Sequence, residues 1–162
     1  MSIREDIADN CYRYAWAYDS FDADGFVASF APDGTLAVVA ADGQTRVTGH
    51  AALRDFFAKA RGHRKKLGQQ PRHMIANVVV DATDGKTATA KCYMTLVLTG
   101  SDGIAVVDHA GRYLDTLALI EGRWRFTERR ILMDRDQNFD GRKAPPKSVV
   151  EALGFAPNFS PP

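Results

Sequence analysis

Four histidines, His50, His63, His73 and His109, and two cysteines, Cys11 and Cys92, are the side chains of this sequence best suited to proton exchange, nucleophilic attack or metal ligation near neutral pH. They show no HxH, HExxH or CxxC spacing, so no standard metal cage is offered. Chemistry without a cofactor or metal is therefore the expectation. Proton transfer fits best, and it needs an imidazole oriented by a carboxylate. Asp19, in the run YAWAYDSFD, ends a helical pattern beside Tyr18. Asp22 can already fill the local capping role, so Asp19 is either a turn residue or a carboxylate pointing under a sheet toward an imidazole. His73, in RHMIAN, is either a satisfied core histidine or that imidazole. A pair of this kind suits proton abstraction beside a leaving group.

The elements that must position these groups can be read from periodicity. Ser2 and Glu5 form an S-x-x-E capping box, and Ile3, Ile7, Cys11, Tyr14 and Tyr18 recur at spacings of three and four, predicting a helix over 3–18. A second, short helix is predicted over Asp22 to Phe30, with Asp22 as cap and a stop at Pro32, Asp33 and Gly34. TLAVVA and TRVTG flank Ala-Asp-Gly-Gln, the chemistry of a tight hairpin. Thr48 is placed to cap a third helix with Leu53, Phe56, Phe57 and Ala60 on its apolar face; Gly62 and the run His63 to Lys66 read as a solvated basic loop after it. From Arg72 the period becomes two, predicting strands over 72–81, 86–99, 104–120 and 123–134 joined by Asp-Gly or Glu-Gly turns. A sheet this long must twist and curl, and helices must cover one face. The class is α+β, a curved antiparallel sheet wrapped over three N-terminal helices.

Alternation assigns faces. His73, Ile75, Asn77 and Val79 share one; Ala88, Ala90, Cys92, Met94, Leu96 and Leu98 point inward, small residues grading into large ones as in a tapering pocket. His109, Gly111, Tyr113, Asp115, Leu117 and Leu119 share a face whose direction polarity does not decide; pointed inward, it joins His73. Trp124, Phe126, Glu128 and Arg130 fall together unless a bulge reverses the later members. An inward Asp115 needs an arginine such as Arg130. Tyr14, Asn77, Met94, Tyr113, Trp124 and Arg130 are the candidate substrate-lining residues, and both cysteines read as reduced core thiols.

The bulk composition limits partners. With 21 Lys and Arg against 20 Asp and Glu, the net charge of +1 supplies no field for nucleic acid or an anionic membrane. The 162 residues contain no apolar h-region and no run of 18 apolar residues, so a soluble, cytoplasmic protein is expected. One domain is expected over 1–135. The segment 136–162 reads as a tail whose Phe139, Phe155 and Phe159 would pack on the domain, a neighbouring subunit or the pocket mouth. Tyr93, Val97 and Leu114 fall on the outer sheet face and suit a homo-oligomer, dimer or trimer.

YAWAYDSFDADGFVASFAPDGTL, VTGHAALRDFF, RHMIANVVVD and GRYLDTLALIEGRWRFTERRI together resemble the SnoaL-like branch of the nuclear transport factor 2-like superfamily, over about residues 3–134. The resemblance implies a cone-shaped α+β barrel around an apolar pocket. Its dehydratases and its dehydrochlorinase pair an aspartate just after the first helix with a pocket histidine, which implies catalytic roles for Tyr18, Asp19 and His73. His109 lies near the place of a second pocket histidine of scytalone dehydratase, although an ungapped count puts Ala110 there. The hairpin LAVVAADG lacks the further tyrosine that enzyme uses, which argues against scytalone as substrate. The implied function is a cofactor-independent lyase of elimination type acting on a small hydrophobic, aromatic or alicyclic molecule. His73 would take the proton, Asp19 would stabilise the imidazolium, and Tyr18 or Tyr113 would support the leaving oxygen. Isomerisation, cyclisation or retro-aldol cleavage from the same pocket are alternatives. So are a non-catalytic partner like the β subunit of a ring-hydroxylating dioxygenase and a ligand-binding module.

Overall fold

The Ser2–Glu5 capping box closes as the spacing predicts, the Glu5 carboxylate accepting the Ser2 amide at 2.7 Å, and starts α1 (Ile3–Asp19). The computed structural model describes residues 2–40 and 43–134, and the tail predicted over 136–162 lies outside them. Asp22 accepts the Gly25 amide at 3.0 Å and starts α2 (Ala23–Ala28). The chain continues through β1 (Phe30–Ala40), β2 (Gly43–Thr48), α3 (His50–Lys66), β3 (Gln70–Thr83), β4 (Thr87–Thr99), β5 (Ala105–Ile120) and β6 (Arg123–Met133).

Two expectations about helices are corrected. The residue before α3 is Gly49, at a φ of 84° that glycine adopts freely, and Thr48 closes β2 instead of capping. The helix then runs through Gly62 to Lys66, so the basic run is helical. Cations in a last helical turn meet the negative end of the helix dipole, which favours continuation over a loop.

Six strands lie in the order β2-β1-β6-β5-β4-β3. All neighbours are antiparallel except β1 and β6, which run parallel because α3 carries the chain from β2 to the opposite edge. The sheet is thus mixed and open, its edges β2 and β3 unjoined. Its curvature brings the helices onto one face, with α1 packed on both β3 and β6. β4 buries Ala88, Ala90, Cys92, Met94, Leu96 and Leu98, as its alternation predicts, and β5 buries His109, Gly111, Tyr113, Asp115 and Leu117 on the same side, while Leu119 emerges at the end.

Bulges redirect the other two strands. Ala76 pairs with Tyr93 and Val79 with Lys91, so two residues of β3 oppose Cys92 alone. Asn77 takes the left-handed conformation there, at φ 55°. Val78 turns into the core while Asn77 and Val79 face out, which removes Asn77 from the interior. On β6, Thr116 pairs with Glu128 and Leu117 with Phe126, leaving Thr127 unmatched. Trp124 and Phe126 point inward, but after the bulge the inward residues are Arg129, Ile131 and Met133. Arg130 lies on the outer face, and Glu128 binds Arg46 there at 2.6 Å.

Candidate active site

Asp19 is the last residue of α1, where the dipole disfavours a carboxylate by about 0.3–1 kcal/mol. Both its oxygens are committed to His73, Oδ1 accepting from the ring Nδ1 at 2.6 Å and Oδ2 from the backbone amide at 2.7 Å. The Gln70 side-chain amide donates to the Asp19 carbonyl at 2.8 Å and ties the helix end to the start of β3. The two side chains are only 9% and 11% exposed, so water competes little for these bonds. An ionised carboxylate can only accept, which fixes the imidazole proton on Nδ1 and turns Nε2 away from Asp19 as the atom for proton exchange.

Tyr18, one residue earlier, lays its ring edge-on to His73 with centroids 4.8 Å apart. Phe26 and Phe57 hold its other sides at 5.8 and 5.6 Å. Burial pushes the phenol up to about 12; the Arg64 cation opposes the shift and Asp19 adds to it. At neutral pH Tyr18 is therefore a hydrogen-bond donor beside the imidazole.

His109 stands in the same cross-strand row. His73 pairs with Leu96, and Leu96 with His109, so both histidines flank one inward leucine across three adjacent strands. His109 is buried, and its Nδ1 lies 2.7 Å from Asp108 Oδ2. Arg64, from the last turns of α3, places Nη2 3.9 Å from that same oxygen and donates through Nη1 to Gln69 at 2.8 Å.

A second charged cluster lies at the level of Ala90 on β4. Arg129 binds Asp115 through two parallel bonds, Nε to Oδ1 at 2.8 Å and Nη2 to Oδ2 at 2.7 Å, and neither side chain is exposed. Tyr14, Tyr113 and Phe126 enclose the guanidinium, their ring centroids 4.3, 4.2 and 3.9 Å from its carbon. Burial would lower its pKa, yet the Asp115 carboxylate holds it well above the usual arginine value. Burial also pushes up both the Tyr14 and Tyr113 phenols. Arg129 Nη2 also donates to Cys11 Sγ at 3.2 Å, and Cys11 and Cys92 are free thiols. The hydrogen bond between the thiols raises Cys11 and lowers Cys92. Potential ligand atoms of Cys11, Cys92 and Asp115 lie within 4.8 Å of one another. The guanidinium already spans both Asp115 oxygens, however, and its charge repels a cation there. The two clusters are distinct: six residues of β4 separate the Leu96 row from the Ala90 row, or roughly 20 Å at the strand rise.

Residues 1–130 match the family model described as a SnoaL-like domain. The chain belongs to the SnoaL-like domain family. No curated protein matches it in sequence. Among solved structures, the SnoaL-like chain is similar to a single-residue variant of Rv3472 from Mycobacterium tuberculosis, a protein of unknown function. Identity is 28%, with 80% of this chain and 70% of that one covered and a TM-score of 0.68. A proposed aromatic ring hydroxylase from Novosphingobium aromaticivorans is 27% identical over 81% of this chain and 88% of that one, with a TM-score of 0.67. An NTF2-like protein with a cystatin-like fold from the same organism covers 93% of this chain and 87% of its own at 24% identity, TM-score 0.70, and shows the shared fold.

Within this SnoaL-like fold, the structure gathers Tyr18, Asp19, His73 and His109 at one level of the sheet. Met94 lies one inward row below them, level with Ile75, Gly111 and Met133. Tyr14 and Tyr113 belong to the Arg129 cluster. Trp124 is buried and borders an outer cleft of about 510 Å³ between α1, α2 and the β5–β6 turn. Asn77 and Arg130 are excluded from the interior by the two bulges. Sequence reasoning missed Arg129, Asp108 and Arg64. The demand of an inward Asp115 for an arginine pointed to Arg130, one residue from Arg129, which takes that place.

Proposed function

We propose that this chain is a cofactor-independent lyase of elimination type acting on a small hydrophobic, aromatic or alicyclic molecule. The observation that carries this reading is the commitment of both Asp19 oxygens to His73. His73 Nε2 takes a proton from the substrate carbon, Asp19 faces the resulting imidazolium, and the Tyr18 hydroxyl donates to the departing oxygen. General-base catalysis of this kind contributes about 10²–10⁴-fold. The test is a panel of cyclic β-hydroxy ketones incubated with the wild type and with His73→Ala and Asp19→Ala, followed by mass spectrometry for loss of water. Equal turnover by wild type and variants removes the proposal. Isomerisation, cyclisation or retro-aldol cleavage would use the same base, and product masses separate them from elimination.

A second reading is an assembly partner of an oxygenase. It draws on the similarity to the proposed ring hydroxylase and on the apolar outer sheet face, where Met74, Tyr93 and Val107 are exposed. It predicts co-purification with a larger chain, unaffected by Asp19→Ala. In the lyase reading the same face joins copies of this chain as a dimer or trimer. Reduced buried thiols fit a cytoplasmic setting, and no helix among the described residues is long and apolar enough to cross a membrane.

A further inference from the structure

Adjacent residues of a regular strand point to opposite faces, so Asp108 and His109 should not meet. They meet because β5 is bulged: His109 pairs with Leu96 and Val107 with Val97, which leaves Asp108 as the extra residue. The bulge lets the Asp108 carboxylate reach back to Nδ1 of the neighbouring ring at 2.7 Å. Bulges beside active sites re-aim side chains in this manner. The carboxylate is itself faced by a cation, since Arg64 Nη2 lies 3.9 Å from the oxygen that holds His109. Arg64 is only 13% exposed, and its Nε is buried with no partner among the described residues, so it has little competing solvation. The same guanidinium lies close enough to Tyr18 for its charge to act on that phenol.

We propose that Asp108 and Arg64 are positioning residues that fix His109 as a second acid/base group in the row of His73, Asp108 by accepting the hydrogen bond from Nδ1–H and Arg64 by holding the carboxylate in place. This rests on the lyase reading for its chemistry, although the positioning itself can be tested without a substrate. Two strand spacings put the backbones of the two histidines about 10 Å apart, with Leu96 between them. In an elimination, the C–H bond breaks as His73 Nε2 takes the proton, and its electron pair forms the double bond. The C–O bond breaks with its electrons going to oxygen, and His109, entering as imidazolium, gives its Nε2 proton to that oxygen, which leaves as water. Afterwards His73 holds one proton more and His109 one fewer, and exchange with solvent restores both. The arrangement suits substrates whose leaving group is a poor one, such as a hydroxyl, because departure is assisted by a full proton.

Histidine-labelled full-length protein, examined by long-range ¹H–¹⁵N spectroscopy at a pH where both imidazoles are neutral, tests the positioning. Wild type is expected to show the proton of His109 on Nδ1. Asp108→Ala should move it to Nε2, Asp108→Glu should restore it at least in part, and Arg64→Gln should raise the population of the Nε2 form. His73 should keep its Nδ1 proton in all three variants and lose it only in Asp19→Ala. A wild-type His109 protonated on Nε2, or an Asp108→Ala spectrum identical to wild type, overturns the inference; an unchanged Arg64→Gln spectrum overturns the role of Arg64. The wild-type measurement needs no variant, so a poorly folding substitution does not blunt the test. A wild-type His73 protonated on Nε2 would instead sink the Asp19–His73 reading and leave this inference standing.

Discussion

Asp19 clamps His73 twice, once through the ring and once through the backbone, so the tautomer of the imidazole and the position of β3 are set by the same carboxylate. Replacing Asp19 by Asn keeps an acceptor for one bond but turns an amide toward the other. Asp19→Asn is expected to lower kcat by about 10²-fold or more, and His73→Ala by about 10²–10⁴-fold. Steady-state kinetics on any substrate that emerges from the panel gives the check, with circular dichroism confirming the fold.

Tyr18 should remain protonated across the working range. Its phenol is raised to about 12 in the folded protein from an ordinary 10, chiefly by burial. The neutral form is therefore favoured by folding. Its stabilising contribution is fully present below pH about 10 and is lost as pH rises through about 12. Phenolate absorbance during an alkaline titration should show Tyr14, Tyr18 and Tyr113 all resisting ionisation beyond the ordinary range, and Tyr18→Phe should remove the one that titrates near 12 together with the corresponding stability loss. Tyr18→Phe should also lower kcat more than it changes KM.

The Arg129–Asp115 pair should be costly to break and cheap to replace. Asp115→Ala leaves a fully buried guanidinium uncompensated, and a loss of about 3–5 kcal/mol in unfolding free energy is expected. Exchanging both partners for apolar residues, Asp115→Leu with Arg129→Met, should recover most of that loss. Urea denaturation of the single and double variants measures both quantities. Recovery in the double variant would assign the pair to packing and specificity of the fold.

Tyr93 is 60% exposed on the outer sheet face, level with Ala76 and Arg112. A charge at its centre should block an apolar interface. Tyr93→Glu is expected to reduce the mass found by sedimentation from that of a dimer or trimer to that of one chain, with the fold unchanged.

Much of this was legible in the sequence because β4 alternates without interruption, and its inward row from Ala88 to Leu98 appears as predicted. Asp19 and His73 were visible as candidates, but their pairing over 54 positions came from family resemblance, since no local period records a helix end meeting a strand. Asn77 and Arg130 were misplaced for one shared reason. Alternation counts residues, and a bulge adds one without a signal in apolar pattern. Arg64 was hidden by the reading of α3 as ending at Gly62, whereas tertiary packing and favourable charges at the helix end outweigh a single glycine.

The unmatched residues of β3, β5 and β6 form a set of their own. Asp81, Asp108 and Thr127 are skipped in the strand register, and Asn77 shares one register position with Val78. All four are polar, and striking them out leaves β3, β5 and β6 in unbroken period two. Inside-outside identity and curvature are therefore encoded by different residues, the apolar period supplying the first and interposed polar residues the second. Deleting Thr127 should straighten β6 while leaving Arg129 inward, so the curvature of the sheet is adjustable separately from what lines its inner face.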